Sequence, residues 1–210
     1  MADTARSLAL FPAALIACTA LAACGEKSGG SGNATASGSA AAAAPASQLF
    51  PDDFKGVCSG ASVAAATAFD PAAAAHKALF FSTYKDDLTD SSSSLPPDWT
   101  VQWSQQGDAL KAIDLVVCAR RTAATEVKVC DGYKDDDKPT QNKVRWHTAT
   151  YELTVREAQS GKQIAQSTAE ATSTSCPMFM SFDGDNETVD GYASLSDTVV
   201  ADFLRPHIKK

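Results

Sequence analysis

From residue 77 onward the apolar positions fall into short blocks bounded by turn-forming residues, a strand-rich pattern. Ahead of them, SVAAATAF (residues 62–69) predicts a short helix stopped by Pro71. KALFFSTY (77–84) reads as a strand leading into an acidic, serine-rich loop, and WTVQW (99–103) as another. AIDLVVCARR and TEVKVCDG flank the short TAAT (122–125), which predicts two strands joined by a hairpin turn. KVRWHTATYELTVREA (143–158) is the longest β-like run, and its apolar phase changes midway. Val144 and Trp146 lie on even positions, whereas Tyr151, Leu153 and Val155 lie on odd ones, which predicts a β-bulge near residues 148–150. QSGK then supplies a turn into QIAQSTAEATS. Finally, Ser194 or Ser196 caps a helix running to about Pro206, with Val199, Val200, Phe203 and Leu204 on one face. Residues 48–210 are therefore expected to form an α+β domain, a mostly antiparallel β-sheet with a short N-terminal helix and a C-terminal helix.

The segment ahead of that domain has a different character. Residues 8–23 form the longest apolar stretch, interrupted by Pro12 and Thr19, with Arg6 before it and small residues at its end. It is too short to span a bilayer and has the dimensions of an export signal, assigned here to residues 1–23. Leu21-Ala22-Ala23-Cys24 resembles the lipobox of bacterial lipoproteins. That resemblance implies a diacylglyceryl thioether on Cys24, cleavage just before it and acylation of the new N-terminus. A plain cleaved signal is the rival reading. Two or three acyl chains, at about 0.8 kcal/mol per buried methylene, anchor stably where one would not. The serine-, glycine- and alanine-rich residues 25–47 cannot bury enough apolar surface to offset their ordering entropy. As a flexible coil they span about 25–30 Å, so residues 24–47 are read as the lipidated cysteine and its tether.

Of 210 residues, 25 are acidic and 18 basic, and the net charge is −7. Without a basic stripe this disfavours nucleic acid and anionic lipid as electrostatic partners. Four cysteines lie within the domain: Cys58, Cys118, Cys130 and Cys176. An even number in an exported chain reads as two disulfides. Placed symmetrically about the TAAT turn, Cys118 and Cys130 are the expected cross-strand pair, leaving Cys58 and Cys176 for the second. A metal site competes poorly, because no CxxC or HxxxH spacing occurs.

No GxSxG, HExxH, P-loop or GxGxxG motif occurs. His76, before the first strand, has no nucleophile or acid in motif with it and is expected to be hydrogen-bonded to backbone. His147 and His207 suggest no nucleophile–base pair. DGDNETVD (183–190) alternates carboxylates, so Asp183, Asp185, Glu187 and Asp190 are weak candidates for a hard cation against the default of a solvated loop. GYKDDDKP (132–139) and TYKDD (83–87) read as acidic turns. Trp99, Trp103, Trp146 and Tyr151 are candidates for a groove holding sugar or peptide, with the sheet core as the competing role.

CSGASVAAATAFDPAAAAHKALFF, DLVVCARR, VCDGY, YELTVREAQSGKQIA and CPMFMSFDG, in this order, resemble a family of uncharacterised bacterial exported proteins and lipoproteins, over most of residues 58–208. The resemblance implies a single compact exported domain and carries no catalytic residue across. The expectation is a lipid-anchored binding module of the cell envelope, without a cofactor, held to the membrane through Cys24. An envelope protein, a wall component or a small solute is its expected ligand. The alternative is an envelope hydrolase whose site is assembled from distant residues around His76.

Overall fold

The computed structural model describes residues 48–101, 107–184 and 186–208. The expected signal, Cys24 and its tether, Trp103 and Asp185 lie outside the described residues.

Six strands build one mixed, mostly antiparallel sheet: β1 Ala78–Tyr84, β2 Asp87–Asp90, β3 Leu115–Cys130, β6 Lys143–Glu157, β7 Gln163–Ala171 and β8 Thr188–Tyr192. Its order is β2-β1-β3-β6-β7, and β8 also pairs with β6. The β1–β3 and β6–β8 pairs are parallel and the others antiparallel. β4 (Lys134–Asp135) and β5 (Lys138–Pro139) form a separate small hairpin. Its turn places Asp136 and Asp137 at positive φ, so GYKDDDKP is the expected acidic turn. TYKDD likewise closes the β1–β2 hairpin through Lys85, at φ 52°.

β1 and the first half of β3 are buried on both faces, which is why ALFF and LVVCA read as unbroken apolar runs. Phe80, Leu115, Val117 and Ala119 join one core beneath the C-terminal helix α1 (Asp197–Ile208). Leu79, Phe81, Val116 and Cys118 join another, covered by Phe54 and Val57 of the 3₁₀ helix Pro51–Ser59.

Several expectations are corrected. TAAT is not a turn: residues 115–130 are one continuous strand paired with β6 along its length, with Cys118 near its start and Cys130 at its end. On an extended strand, that separation is roughly 40 Å, far beyond disulfide reach. Cys118 instead pairs with Cys58 and Cys130 with Cys176, at Cα–Cα distances of 5.7 and 5.8 Å. With partners 60 and 46 positions apart in sequence, each bridge contributes about 4 kcal/mol in the chain-entropy model.

Residues 62–69 do not form a helix, because their amides donate elsewhere. Val63 N–H donates to the Ala158 carbonyl, and Thr67 N–H to those of Lys111 and Ile113. The N-terminal helix is the 3₁₀ segment instead, opened by Pro51 at its first turn and by the Asp53 carboxylate accepting from Phe50 N–H at 2.8 Å. Trp99 sits in a turn, not a strand, with its N–H donating to the Pro96 carbonyl. The inward parity of β6 does change, between Trp146 and Ala149. The extra residues, however, are Thr122 and Val127 on the facing β3. On its other side β6 exchanges partners at Thr148, from β8 to β7. α1 begins after Ser196, whose Oγ accepts from Val199 N–H at 3.4 Å. Its inward face is Val200, Ala201, Leu204 and Ile208, one step round from the expected stripe, with Val199 exposed.

Non-reducing peptide mapping is expected to recover Cys58 joined to Cys118 and Cys130 joined to Cys176. Gly161 sits at φ +72°, and a Cβ there would overlap the Gly60 carbonyl oxygen, which is backbone and cannot yield. Gly161→Ala is therefore expected to lower the unfolding free energy by about 2–3 kcal/mol, measured as a reduced urea midpoint.

Candidate functional site

A groove of about 830 Å³ opens over the far half of β6. Trp146 and Tyr151, on inward positions of that strand, form its floor. β8 supplies Gly191 and Tyr192, and the segment after β3 supplies Asp131 and Tyr133. Gly191 is needed there. A Cβ would stand 2.7 Å from Val144 and 2.8 Å from the Trp146 ring, so only glycine lets β8 lie against that indole.

The roof is the segment 176–182, CPMFMSF, which has no charged residue. It is tied at its base by the Cys130–Cys176 bridge. Tyr133 Oη donates to the Pro177 carbonyl at 3.1 Å, and the Tyr133 ring leans on Phe182 at 5.2 Å. Upstream, Trp146 Nε1 donates to the Ser173 carbonyl at 2.8 Å. Downstream, Asp183 N–H donates to the Glu187 carboxylate at 2.8 Å, and Glu187 N–H to Asn142 Oδ1 at 2.8 Å. Met180 and Phe182 pack inward. Met178 and Phe179 are left 86% and 87% exposed. On the groove's other rim Tyr84 and Lys85 come from the β1–β2 turn, with Tyr84 59% exposed.

The groove's charges are already engaged. The Arg121 guanidinium lies 3.4 Å from the centre of the Tyr192 ring, donates to the Lys85 carbonyl and stands 3.5 Å from Asp86. His147 stacks on Tyr192 at 5.0 Å. Asp190 pairs with Arg145 at 2.8 Å. Burial pushes the Tyr151 phenol above its usual range, with Arg121 pulling the other way, while its hydroxyl donates to the Ala193 carbonyl at 2.9 Å. Burial also raises the Tyr133 phenol. The groove thus has an aromatic floor whose donors are taken by backbone carbonyls, and apolar lips.

Of the residues expected in a groove, the structure brings together Trp146 and Tyr151. Trp99 is a core residue elsewhere, 3% exposed, with Arg205 5.4 Å from its ring centre. Tyr84, Tyr133, Tyr192, Met178, Phe179 and Phe182 escaped the sequence reading. CPMFMSF carried the one available signal, an uncharged apolar block beside a cysteine with neither strand nor helix period. Asp183, Glu187 and Asp190 serve loop hydrogen bonds and the Arg145 pair, and among the described residues no three His, Cys, Asp or Glu side chains converge on a metal-sized space.

His76 has a carboxylate partner that its sequence surroundings did not reveal: Nδ1 lies 2.5 Å from Asp114 Oδ2, both side chains being buried. Asp114 Oδ1 also accepts from Lys77 N–H, His76 N–H donates to the carbonyl of Ile208, and the imidazole packs 4.7 Å from Phe69. The pair thereby ties the starts of β1 and β3 to the end of α1. Neither residue lines the groove.

Because Tyr151 is favoured as the neutral phenol in the fold, its contribution is complete below the unfolded tyrosine value near pH 10 and is lost as pH rises through the higher folded value. Tyr151→Phe is expected to cost about 1 kcal/mol at neutral pH, by leaving the Ala193 carbonyl without its donor. It is also expected to flatten the alkaline fall of stability, which urea midpoints measured from about pH 8 to 11 would show.

Comparison of the chain with protein-family models, with curated proteins and with solved structures finds no match to any of the three.

Proposed function

We propose that this chain is a lipid-anchored binding module of the bacterial cell envelope, working outside the cytoplasm. Cys24 holds it to the membrane, residues 25–47 are the tether, and the groove receives an apolar segment of an envelope protein. The observation that carries this reading is the pair of lips: Met178 and Phe179 on one side and Tyr84 on the other are held out into solvent by loops that are themselves tied down. Burying a methionine and a phenylalanine is worth about 1.5–3 kcal/mol each, so a fold that keeps both exposed forgoes stability that a partner recovers. Two disulfides suggest an oxidising, extracytoplasmic compartment, and no helix among the described residues is long and apolar enough to cross a membrane. The Leu-Ala-Ala-Cys motif and the resemblance to exported bacterial proteins support the same location.

The groove lies towards the Cys130 end of β3, whereas the segment leading to the tether packs through Phe54 and Val57 against Val116 and Cys118, nearer its start. The 3₁₀ helix and the groove thus pack at different ends of one long strand.

The full chain carrying a benzoylphenylalanine in place of Phe179 is expected to form one discrete covalent adduct when irradiated in living cells. The same group at Val199, on the exposed side of α1, is expected to form none. Equal or diffuse labelling at both positions would count against a binding groove. A Cys24→Ser chain recovered in the soluble rather than the membrane fraction would support the anchor.

A further inference from the structure

The sulfur atoms of the domain are unevenly placed. All four of its cysteines, Cys58, Cys118, Cys130 and Cys176, are joined in disulfides and hold no thiol. The chain has three methionines. Met1 belongs to the expected signal, and the other two, Met178 and Met180, stand two positions apart on the roof of the groove. Their surroundings differ. Met180 is half-buried and packs against the core that includes Trp146 and Tyr151, whereas Met178 is 86% exposed. Both thioethers of the domain are therefore on one surface, and one of them is open to solvent.

A thioether reacts with hydroperoxides according to its access, and its sulfoxide is polar where the methionine was apolar and adaptable. We propose that Met178 is a site of reversible oxidation by hydroperoxides, and that its sulfoxide closes the groove to apolar partners; this rests on the groove's proposed role as a binding site. The sulfur lone pair attacks the terminal oxygen of the hydroperoxide, so an S–O bond forms and the O–O bond breaks. The proton on the transferred oxygen passes to the departing hydroxide or alkoxide, which leaves as water or an alcohol. The thioether loses two electrons and the peroxide gains them. A dithiol reductant reverses the change, becoming a disulfide and releasing the oxygen as water.

Two features make this a change of one surface and not damage to the fold. The Met178 side chain stands in solvent, so its sulfoxide is hydrated without disturbing the core, whereas an oxygen on Met180 would be set against the apolar cluster. The loop is also held independently of its tip, by the Cys130–Cys176 bridge and by Tyr133 Oη donating to the Pro177 carbonyl. It therefore stays in place while the lip changes polarity. Residues 176–182 contain neither strand nor helix, which leaves the protruding side chain open to oxidant and reductant alike.

The test has two readouts on the full chain in isolated envelopes. After brief hydrogen peroxide treatment, peptide mass mapping is expected to show sulfoxide forming about tenfold faster at Met178 than at Met180. A methionine sulfoxide reductase supplied with thioredoxin is expected to remove it. The second readout is the adduct formed by benzoylphenylalanine in place of Tyr84, on the opposite lip. Peroxide is expected to lower its yield about tenfold. In a Met178→Leu chain the treated and untreated yields are expected to match, whatever their level, and in a Met180→Leu chain the fall is expected to persist. Met178→Gln, polar without any oxidant, is expected to give a low yield from the outset. Equal oxidation of the two methionines, a yield unmoved by peroxide, or a peroxide effect that survives in Met178→Leu would overturn the switch. An adduct missing even before peroxide would overturn the groove as a binding site and the switch with it, and the ratio of the two sulfoxides would still be read separately.

Discussion

The antiparallel ladder between β3 and β6 is the constraint on which the rest of the domain depends. It pairs Leu115 with Glu157 at one end and Cys130 with Val144 at the other, and every other strand of the sheet is added to it. β1 lies parallel along the first part of β3. β7 and β8 divide the outer edge of β6 between them, exchanging at Thr148. The two disulfides then fasten flanking chain to the ladder: Cys58 to its buried half, Cys176 to its exposed end. Each closes a long loop, and the entropy removed from the unfolded chain is greatest for such loops.

The groove follows from that arrangement. Because β6 runs past the end of β1, its inward Trp146 and Tyr151 are covered not by helix but by β8 and the loop 173–182. Covering two aromatic residues with irregular backbone requires that the backbone find hydrogen bonds. Tyr133 Oη and Trp146 Nε1 supply donors to the loop carbonyls, and just beyond the loop Glu187 and Asn142 accept the amides of Asp183 and Glu187. A loop satisfied in this way has no need to fold its own apolar tip inward, and Met178 and Phe179 stay out.

At the opposite end of β3 the polar chemistry is structural. His76 and Asp114 exchange one short hydrogen bond in a site walled by Phe69 and the end of α1. Two buried polar groups that satisfy each other and the neighbouring backbone specify how three elements meet, which an apolar contact alone would do less uniquely. The carboxylate of Asp190 does similar work between β6 and β8 through Arg145.

Local pattern was enough for β1, β6, β7, the acidic turns and the start of α1, because alternation, capping and turn chemistry act over a few residues. The change of parity in β6 was also legible, since it is written in that strand's own side chains. By itself the sequence determined a strand-rich domain with an even set of cysteines. Tertiary structure alone decided the rest. TAAT is a tolerable turn or a tolerable strand, and only β6 lying alongside it settled the matter. With β3 continuous, Cys118 and Cys130 were carried too far apart to bond, and each took the partner that topology placed next to it. The groove was invisible for the same reason. Its lips come from residues 84 and 178–179, nearly a hundred positions apart, and no periodicity relates side chains that meet only because two turns close over one sheet.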